Sequence, residues 1–561
     1  MSQRIKPATE APGHDGLQDW PLRPWLYALI GGGAGLAVHL LFNGGAGSRA
    51  GSAIAAFAFF AALGLGFTLR PDRPRDSIIF SLGLGTVMAG IAFLAIDAGD
   101  RLAGEEFGFA AGVFFSLLAI PLFQSDFHRR RWATPYRETH FHVWTDAVSA
   151  GGALAFMLLS FALIWLLDAL FILVGIELIG QLFRTDWFAG LFLGATFGAG
   201  LGVLRNQLAI IGTLQRVVML VLSLLAVPFA AAILVFVVML VFSGGDALWN
   251  ATDSATPVLL ACAIGCFVLV NVVVRDDDDS RSGNVVMQAA ALVLAAAIFP
   301  LTVFAAVSMG IRIGQHGLSP ERLWALVAIA IATAYGLAYW VAMARGRLAG
   351  WAHHLRRANL HLAAGSCLVA LVLAFPWLDF GRISAKNQLA RLDRGEVSVA
   401  DFDFEALRWD FGEAGRRALA RIAAGEGEAA QLAAEVQARA ERYPVTDRRR
   451  SFDPGALALS FEDARLRGWV RSHVAANPWQ CSPACVAIDL GQEGDRRRVA
   501  LVSARSRELV AFRDDGLADL PAPVPAPPTP DTAIAPGDVE VRSFEGRQIF
   551  VNGRPVGEPF E

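Results

Sequence analysis

Eleven long apolar stretches separated by short polar ones fill residues 25 to 378 of the chain. They run approximately from 25 to 42, 53 to 69, 78 to 96, 108 to 124, 148 to 173, 187 to 204, 217 to 243, 256 to 274, 285 to 310, 321 to 344 and 360 to 378. Lipid offers no partner to an unpaired backbone N–H or C=O, so a chain crosses it as a helix of roughly 20 mostly apolar residues. The pattern therefore predicts a polytopic bundle of about eleven transmembrane helices. A polar head, residues 1–24, precedes the first stretch without the early apolar core and small-residue cleavage site of a secretory signal. That stretch reads as a retained helix and the head as a cytoplasmic tail.

Punctuation agrees with these spans. Ser319 followed by Pro320 predicts an N-cap with proline at the first helical position. Pro228 and Pro300 fall inside spans seven and nine and predict kinks. Between Val174 and Trp187, Glu177, Gln181, Arg184 and Asp186 alternate with apolar residues, which predicts an amphipathic stretch on the membrane surface.

Beyond residue 378 the pattern changes. Residues 379–445 carry apolar positions at helical spacing, such as Ala385, Leu389 and Leu392, and predict short helices. Residues 446–519 read as a mixed α+β region, with strand-like runs at Val499, Leu501 and Val502 and at Leu509, Val510 and Phe512. A proline-rich linker spans 520–536, and residues 537–561 predict a β-hairpin with a turn signal at Asn552 and Gly553. The fold class expected is mainly α: a transmembrane bundle followed by a C-terminal soluble α+β domain.

Composition sharpens the division. The 561 residues are 55% apolar and 18% charged, with mean hydropathy +0.46, against about a quarter charged in an average soluble protein. Residues 1 to 378 hold 23 Lys and Arg against 22 Asp and Glu, and the remainder holds 25 against 29. Neither part has the basic excess that nucleic-acid binding needs. With the N-terminus inside, the inner segments hold 18 Lys and Arg and the outer loops only five, Arg49, Arg101, Arg184, Arg312 and Arg322. Retention of basic residues in the cytoplasm then orients the chain, and eleven crossings put the C-terminal part outside. The expectation is a membrane protein with a cytoplasmic N-terminus and an extracytoplasmic C-terminal domain.

Two stretches resemble a known family. The run Arg382, Ile383, Ser384, Ala385, Lys386, Asn387, Gln388 and Leu389, followed by Phe402, Asp403, Phe404, Leu407 and Arg408, resembles the segment after the last membrane helix of DUF4153 proteins. The late-helix start Gly317, Leu318, Ser319, Pro320, Glu321 and Arg322 does so too. These are bacterial membrane proteins of unknown function, and the likeness covers about residues 80 to 425. The resemblance implies a multi-helix membrane fold, and with the charge asymmetry a bacterial inner (plasma) membrane protein with a cytoplasmic N-terminus and a periplasmic C-terminal domain; it supplies no catalytic residues.

Candidate chemistry is sparse. Ionisable groups at the membrane midplane mark ion pathways, and the spans are almost free of them. His39 and Asp168 are exceptions near the outer ends of their helices. The outer loop after span three carries Asp97, Asp100, Glu105 and Glu106. Enzymes that use lipid-linked sugars place a carboxylate at such a surface, and a solvated acidic loop explains the same residues. His128, His140 and His142 precede span five, and His353, His354 and His361 precede span eleven. Imidazole is a common metal ligand, so His140, His142, His354 and His361 are the weak metal candidates, without a specific ligand spacing. Basic and aromatic anchors such as Trp132, Tyr136, Trp144 and Trp351 explain those loops as well. The run Asp276 to Asp279 lacks the alternation of a calcium loop. No P-loop, dinucleotide fingerprint or Ser-His-Asp arrangement is evident, and no cofactor is implied. Cys262, Cys266 and Cys367 read as packing residues, whereas Cys481 and Cys485 have the spacing of a small disulfide loop in an oxidising compartment.

The function expected is recognition and not catalysis: an envelope scaffold or sensor that meets the lipid bilayer and an envelope protein or ligand. The alternative is a membrane transferase or flippase acting on lipid-linked substrates, with Asp97, Asp100 or Asp168 as its carboxylates.

Overall fold

A computed structural model describes residues 20–43, 48–97, 102–243, 255–278, 281–439, 442, 457–481, 484–493, 496–503, 507–513, 516–518, 539–544, 546–551 and 554–560. The chain divides into two compact units, Met1–Gln437 and Ala438–Glu561.

Among the described residues, the first unit contains α1 (Arg23–Asn43), α2 (Arg49–Thr68), α3 (Pro74–Asp97), α4 (Glu105–Gln124), the short α5 (Phe127–Arg130), α6 (Tyr136–Leu173), α7 (Leu178–Arg184), α8 (Asp186–Asn206), α9 (Leu208–Phe242), α10 (Ala255–Val274), α11 (Val285–His316) and α12 (Pro320–Ala374). Among the described residues, eleven segments are long and apolar enough to cross a membrane. The protein is therefore a multi-pass membrane protein built on transmembrane helices. The longest element, α12, supplies two of the spans, because Arg347 breaks it with φ 50° and ψ −158°. Its two halves run antiparallel: an added Cβ at Gly104 would lie 3.6 Å from Trp324, and one at Gly108 would lie 3.7 Å from the Ala374 carbonyl.

Two span boundaries move. The fifth span starts at Tyr136, not near 148, so His140 and His142 lie on α6 and not on a loop. The eleventh starts at Gly350, which puts His353, His354 and His361 on α12. In both cases the extra turns are polar in sequence but packed against the bundle. Thr139, His140, Thr145 and Ser149 are all buried. The stretch from Val174 to Trp187 contains the short helix α7.

Packing follows residue size. Gly31 and Gly35 of α1 meet Gly194 and Gly190 of α8 so closely that an added Cβ would sit 2.2 and 2.1 Å from their carbonyl oxygens. Small residues four apart let two helix backbones touch, which is how helices associate where lipid removes the hydrophobic drive. Among the described residues, the largest core joins α9, α10, α11 and α12 through Ile233, Leu259, Val270, Ile298, Tyr339 and Leu355.

Four shorter helices complete this unit: α13 (Phe380–Asp393), α14 (Phe404–Trp409), α15 (Gly412–Ala423) and α16 (Glu428–Ala438). They close around Phe402, Phe404, Leu407, Phe411 and Leu419.

The second unit holds a five-stranded sheet in the order β1 (Leu457–Leu459), β2 (Cys485–Glu493), β3 (Arg496–Ser503), β4 (Arg507–Arg513) and β5 (Gly516–Ala518). The pair β1–β2 is parallel and the others are antiparallel. Helix α17 (Ala464–Ala476) packs Leu466, Val470 and Val474 against Val499, Leu501 and Phe512 of one sheet face. Residues expected to form a hairpin form a three-stranded antiparallel meander, β6 (Val539–Phe544), β7 (Gly546–Val551) and β8 (Arg554–Phe560). The strand-like runs at Val539 to Ser543 and Gln548 to Val551 fall in β6 and β7, which pair in full register, and β8 follows the turn signal at Asn552 and Gly553 in sequence.

Candidate functional site: a charged cavity at one end of the bundle

The end of the bundle where α4 and α12 begin and α11 stops encloses a cavity of about 670 Å³. Three stretches wall it: Leu102 to Phe107, Gln315 to Arg322, and positions between Gln388 and Arg416. The second is held by local chemistry. Gly317 has φ +73°, which glycine adopts without strain, and a Cβ there would come within 2.6 Å of Gln388. Ser319 Oγ accepts from the Arg322 N–H at 3.4 Å and Pro320 takes the first turn, so α12 starts as its sequence predicts.

Helix α13 clamps this turn. Asn387 Oδ1 accepts from the Leu318 N–H at 2.8 Å, and Gln388 Nε2 donates to the His316 and Leu318 carbonyls at 2.8 and 3.0 Å. Arg391 donates to the Gln315 carbonyl at 2.8 Å. On the third wall, Asp403 caps α14 by accepting from the Ala406 N–H at 2.8 Å. The cavity thus presents Arg322, Arg391 and Arg416 together with Glu106, Glu321, Asp401, Asp403 and Asp410. Trp409 also lines it, and its buried indole N–H has no hydrogen-bond partner. Both signs of charge in one enclosure suit a ligand that carries both.

A second polar constellation lies inside the bundle. Asn359 Nδ2 donates to Asn271 Oδ1 at 2.6 Å, Asn271 Nδ2 to the Tyr339 hydroxyl at 2.9 Å, and that hydroxyl to Asn359 Oδ1 at 2.9 Å. The Tyr136 hydroxyl joins at 3.2 Å from Asn271 Oδ1. One turn away, Arg356 donates to the carbonyls of Val274, Arg275 and Asp277 and pairs with Asp278 at 2.9 Å. Orphan carbonyls at a buried helix end need such partners, so Arg356 serves as the C-terminal cap of α10. This network ties α6, α10 and both halves of α12 together.

The sequence candidates are dispersed. His140 lies between Tyr136 and Trp144 in tilted ring contacts, with centroids 5.6 and 6.3 Å away. His361 meets Trp132 edge-on at 5.2 Å, and His354 lies beside His353. His142 is in edge contact with Phe141. Among the described residues, no group of three or more His, Cys, Asp or Glu is placed to hold a metal ion. Asp168 sits on α6 against Gly180 of α7, half-buried, with Oδ1 lacking a hydrogen-bond partner. It does not line the cavity. Asp97 ends α3, and Asp100 lies outside the described residues. Of the acidic loop, Glu106 reaches the cavity. Cys481 and Cys485 are joined as a disulfide with Cα atoms 4.8 Å apart. Cys262, Cys266 and Cys367 are free thiols within spans.

Sequence reasoning did not find the cavity. Its signal was present as two unusual stretches, Gly317 to Arg322 and Arg382 to Leu389, but nothing in one dimension says that they meet.

The class defined by this architecture is a polytopic membrane protein with a charged cavity at one helix-terminal end. A family model described as a domain of unknown function, DUF4153, matches residues 54–422, and the chain belongs to that family. The match contains every described wall of the cavity and stops before the strand-rich unit. No curated protein and no solved structure matches the chain.

Proposed function

We propose that this protein is a recognition component of the bacterial cell envelope, a sensor or scaffold of the inner membrane, whose cavity binds a small charged ligand. The observation that carries the reading is the cavity itself: it is roomy, walled by both signs of charge, and shaped by a turn that three side chains of α13 clamp. Eighteen Lys and Arg on one side of the spans against five on the other support a cytoplasmic N-terminus. The cavity end, where α4 and α12 begin, then faces the periplasm, as does the strand-rich unit. That unit has sheet edges suited to pairing with an envelope protein.

A transferase or flippase for lipid-linked substrates is the second reading, favoured by Glu106 in the cavity wall. The test of the first is a thermal-shift panel of amino acids, phosphate esters and glycerophosphodiesters on the purified full chain. A ligand that raises Tm in the native protein and not in Arg322→Gln or Arg416→Gln supports recognition. No shift with any member of the panel would remove it.

A further inference from the structure

The charged cavity has a neighbour. Leu102, Ala103 and Gly104 line both the cavity and a narrow crevice of about 50 Å³ between α3, α4 and the second half of α12. The crevice is lined mainly by apolar residues, Ile91, Leu94, Leu373 and Phe375 with Gly108 among them, and by Asp379. A soluble ligand has no use for an apolar slot beside its charged site, and a bare hydrocarbon has no use for arginines and carboxylates. The pair fits one kind of molecule, with a charged head and an apolar chain. The position agrees, because helix termini such as Glu105, His316 and Pro320 are where a span reaches the boundary of the hydrocarbon.

The charges narrow the head. Arg322 Nη1 donates to the Gly317 and His316 carbonyls at 2.6 and 3.3 Å. These carbonyls fix the direction of the guanidinium, and Glu321 and Asp403 nearby favour its charged form, so it presents oriented donors and a positive charge that suit a phosphate. Glu106, Asp401 and Asp410 on the other walls suit an ammonium.

We propose that the cavity and crevice together bind a zwitterionic phospholipid-type amphiphile, its phosphate at Arg322, its ammonium toward the carboxylates and the first carbons of its acyl chain in the crevice. This rests on reading the cavity as a recognition site and names the ligand class. The remainder of the chain lies along the lipid-facing surface, where Phe93 and Leu94 are exposed.

The test titrates two probes into the full chain held in amphipol: dihexanoyl phosphatidylethanolamine and its chain-free analogue, glycerophosphoethanolamine. Burial of two methylenes gives the chain-bearing probe roughly tenfold tighter binding. Gly108→Leu fills the crevice, and since a Cβ there meets only the Ala374 carbonyl at 3.7 Å, its backbone has room. This variant is expected to erase the tenfold difference and keep the affinity for the chain-free probe, whereas Arg322→Gln weakens both. Equal affinities of the two probes for the unsubstituted protein would overturn the proposal while Arg322-dependent binding kept the recognition reading alive. That comparison needs no variant to fold. Equally tight binding of dihexanoyl phosphatidylglycerol, whose head has no cation, would overturn the ammonium assignment. Binding of neither ethanolamine probe would overturn the proposal outright, and the thermal-shift panel would then judge the recognition reading separately.

Discussion

Asn387 accepts a hydrogen bond from the Leu318 backbone N–H at 2.8 Å, across 69 positions of sequence. This bond connects the helix after the last span to the turn between spans nine and ten, and so shapes the cavity. Removing the acceptor leaves a partly buried donor unpaired, at a cost of about 1–3 kcal/mol. Asn387→Ala is expected to lower the unfolding temperature and to speed hydrogen exchange at Leu318, with Asn387→Asp keeping the slow exchange. Unchanged exchange at Leu318 in the alanine variant would show that the clamp does not depend on this contact.

The α1–α8 contact gives a paired prediction. Gly35→Leu must displace the Gly190 carbonyl, which an added Cβ alone would approach to 2.1 Å, whereas Gly33 has nothing within 4 Å of its Cβ position. Backbone overlap of this size cannot be relieved by side-chain rotation. The expected outcome is loss of monodisperse protein for Gly35→Leu and near-native yield and Tm for Gly33→Ala, read by fluorescence-detected size exclusion. Equal behaviour of the two would refute the close packing.

These two contacts also show what was legible in the sequence. The spans were, because a run of apolar residues needs no partner to be recognised. The start of α6 was not, since Thr139, His140, Thr145 and Ser149 count as polar one by one although neighbouring helices bury them. The cavity was least legible. Glu106, Arg322 and Arg416 are ordinary surface residues until a fold brings them together, and the pairing of Asn387 with Leu318 has no periodic trace.

The Cys481–Cys485 bond gives a test of the proposed compartment. A disulfide with Cα atoms 4.8 Å apart persists in an oxidising space and is reduced in the cytoplasm. Mass spectrometry of alkylated, unreduced protein from native membranes is expected to find both sulfurs protected, and alkaline phosphatase fused after Glu561 is expected to be active. Free thiols with an inactive fusion would place the strand-rich unit in the cytoplasm.

His473 predicts a pH dependence for that unit. Burial on α17 beside Phe512 holds its imidazole below the ordinary value of 6.5, against opposing effects of Gln480 and Glu508. The unfolded chain therefore takes up the proton more readily, and protonation favours unfolding. The contribution is fully present above pH 6.5 and is lost as pH falls below it toward the folded value. Resistance of residues 457–518 to proteolysis is expected to fall through this window, and His473→Gln should flatten the profile. A native profile that is already flat would mean that the imidazole titrates normally.

Asp168 decides between anchoring and transport. Pumps and symporters need titratable groups reached alternately from both sides, near the midplane and at the interface of moving helices. Asp168 sits instead in the last turns of α6, beside Gly180 of the short helix α7, with one carboxylate oxygen lacking a hydrogen-bond partner. An amide of the same shape fits that position and removes the charge. Asp168→Asn is therefore expected to express and fold as the native protein does and to leave the cellular phenotype nearly unchanged. Complete loss of function at normal expression, together with pH-dependent uptake in reconstituted vesicles, would instead make Asp168 a transport residue and end the sensor reading.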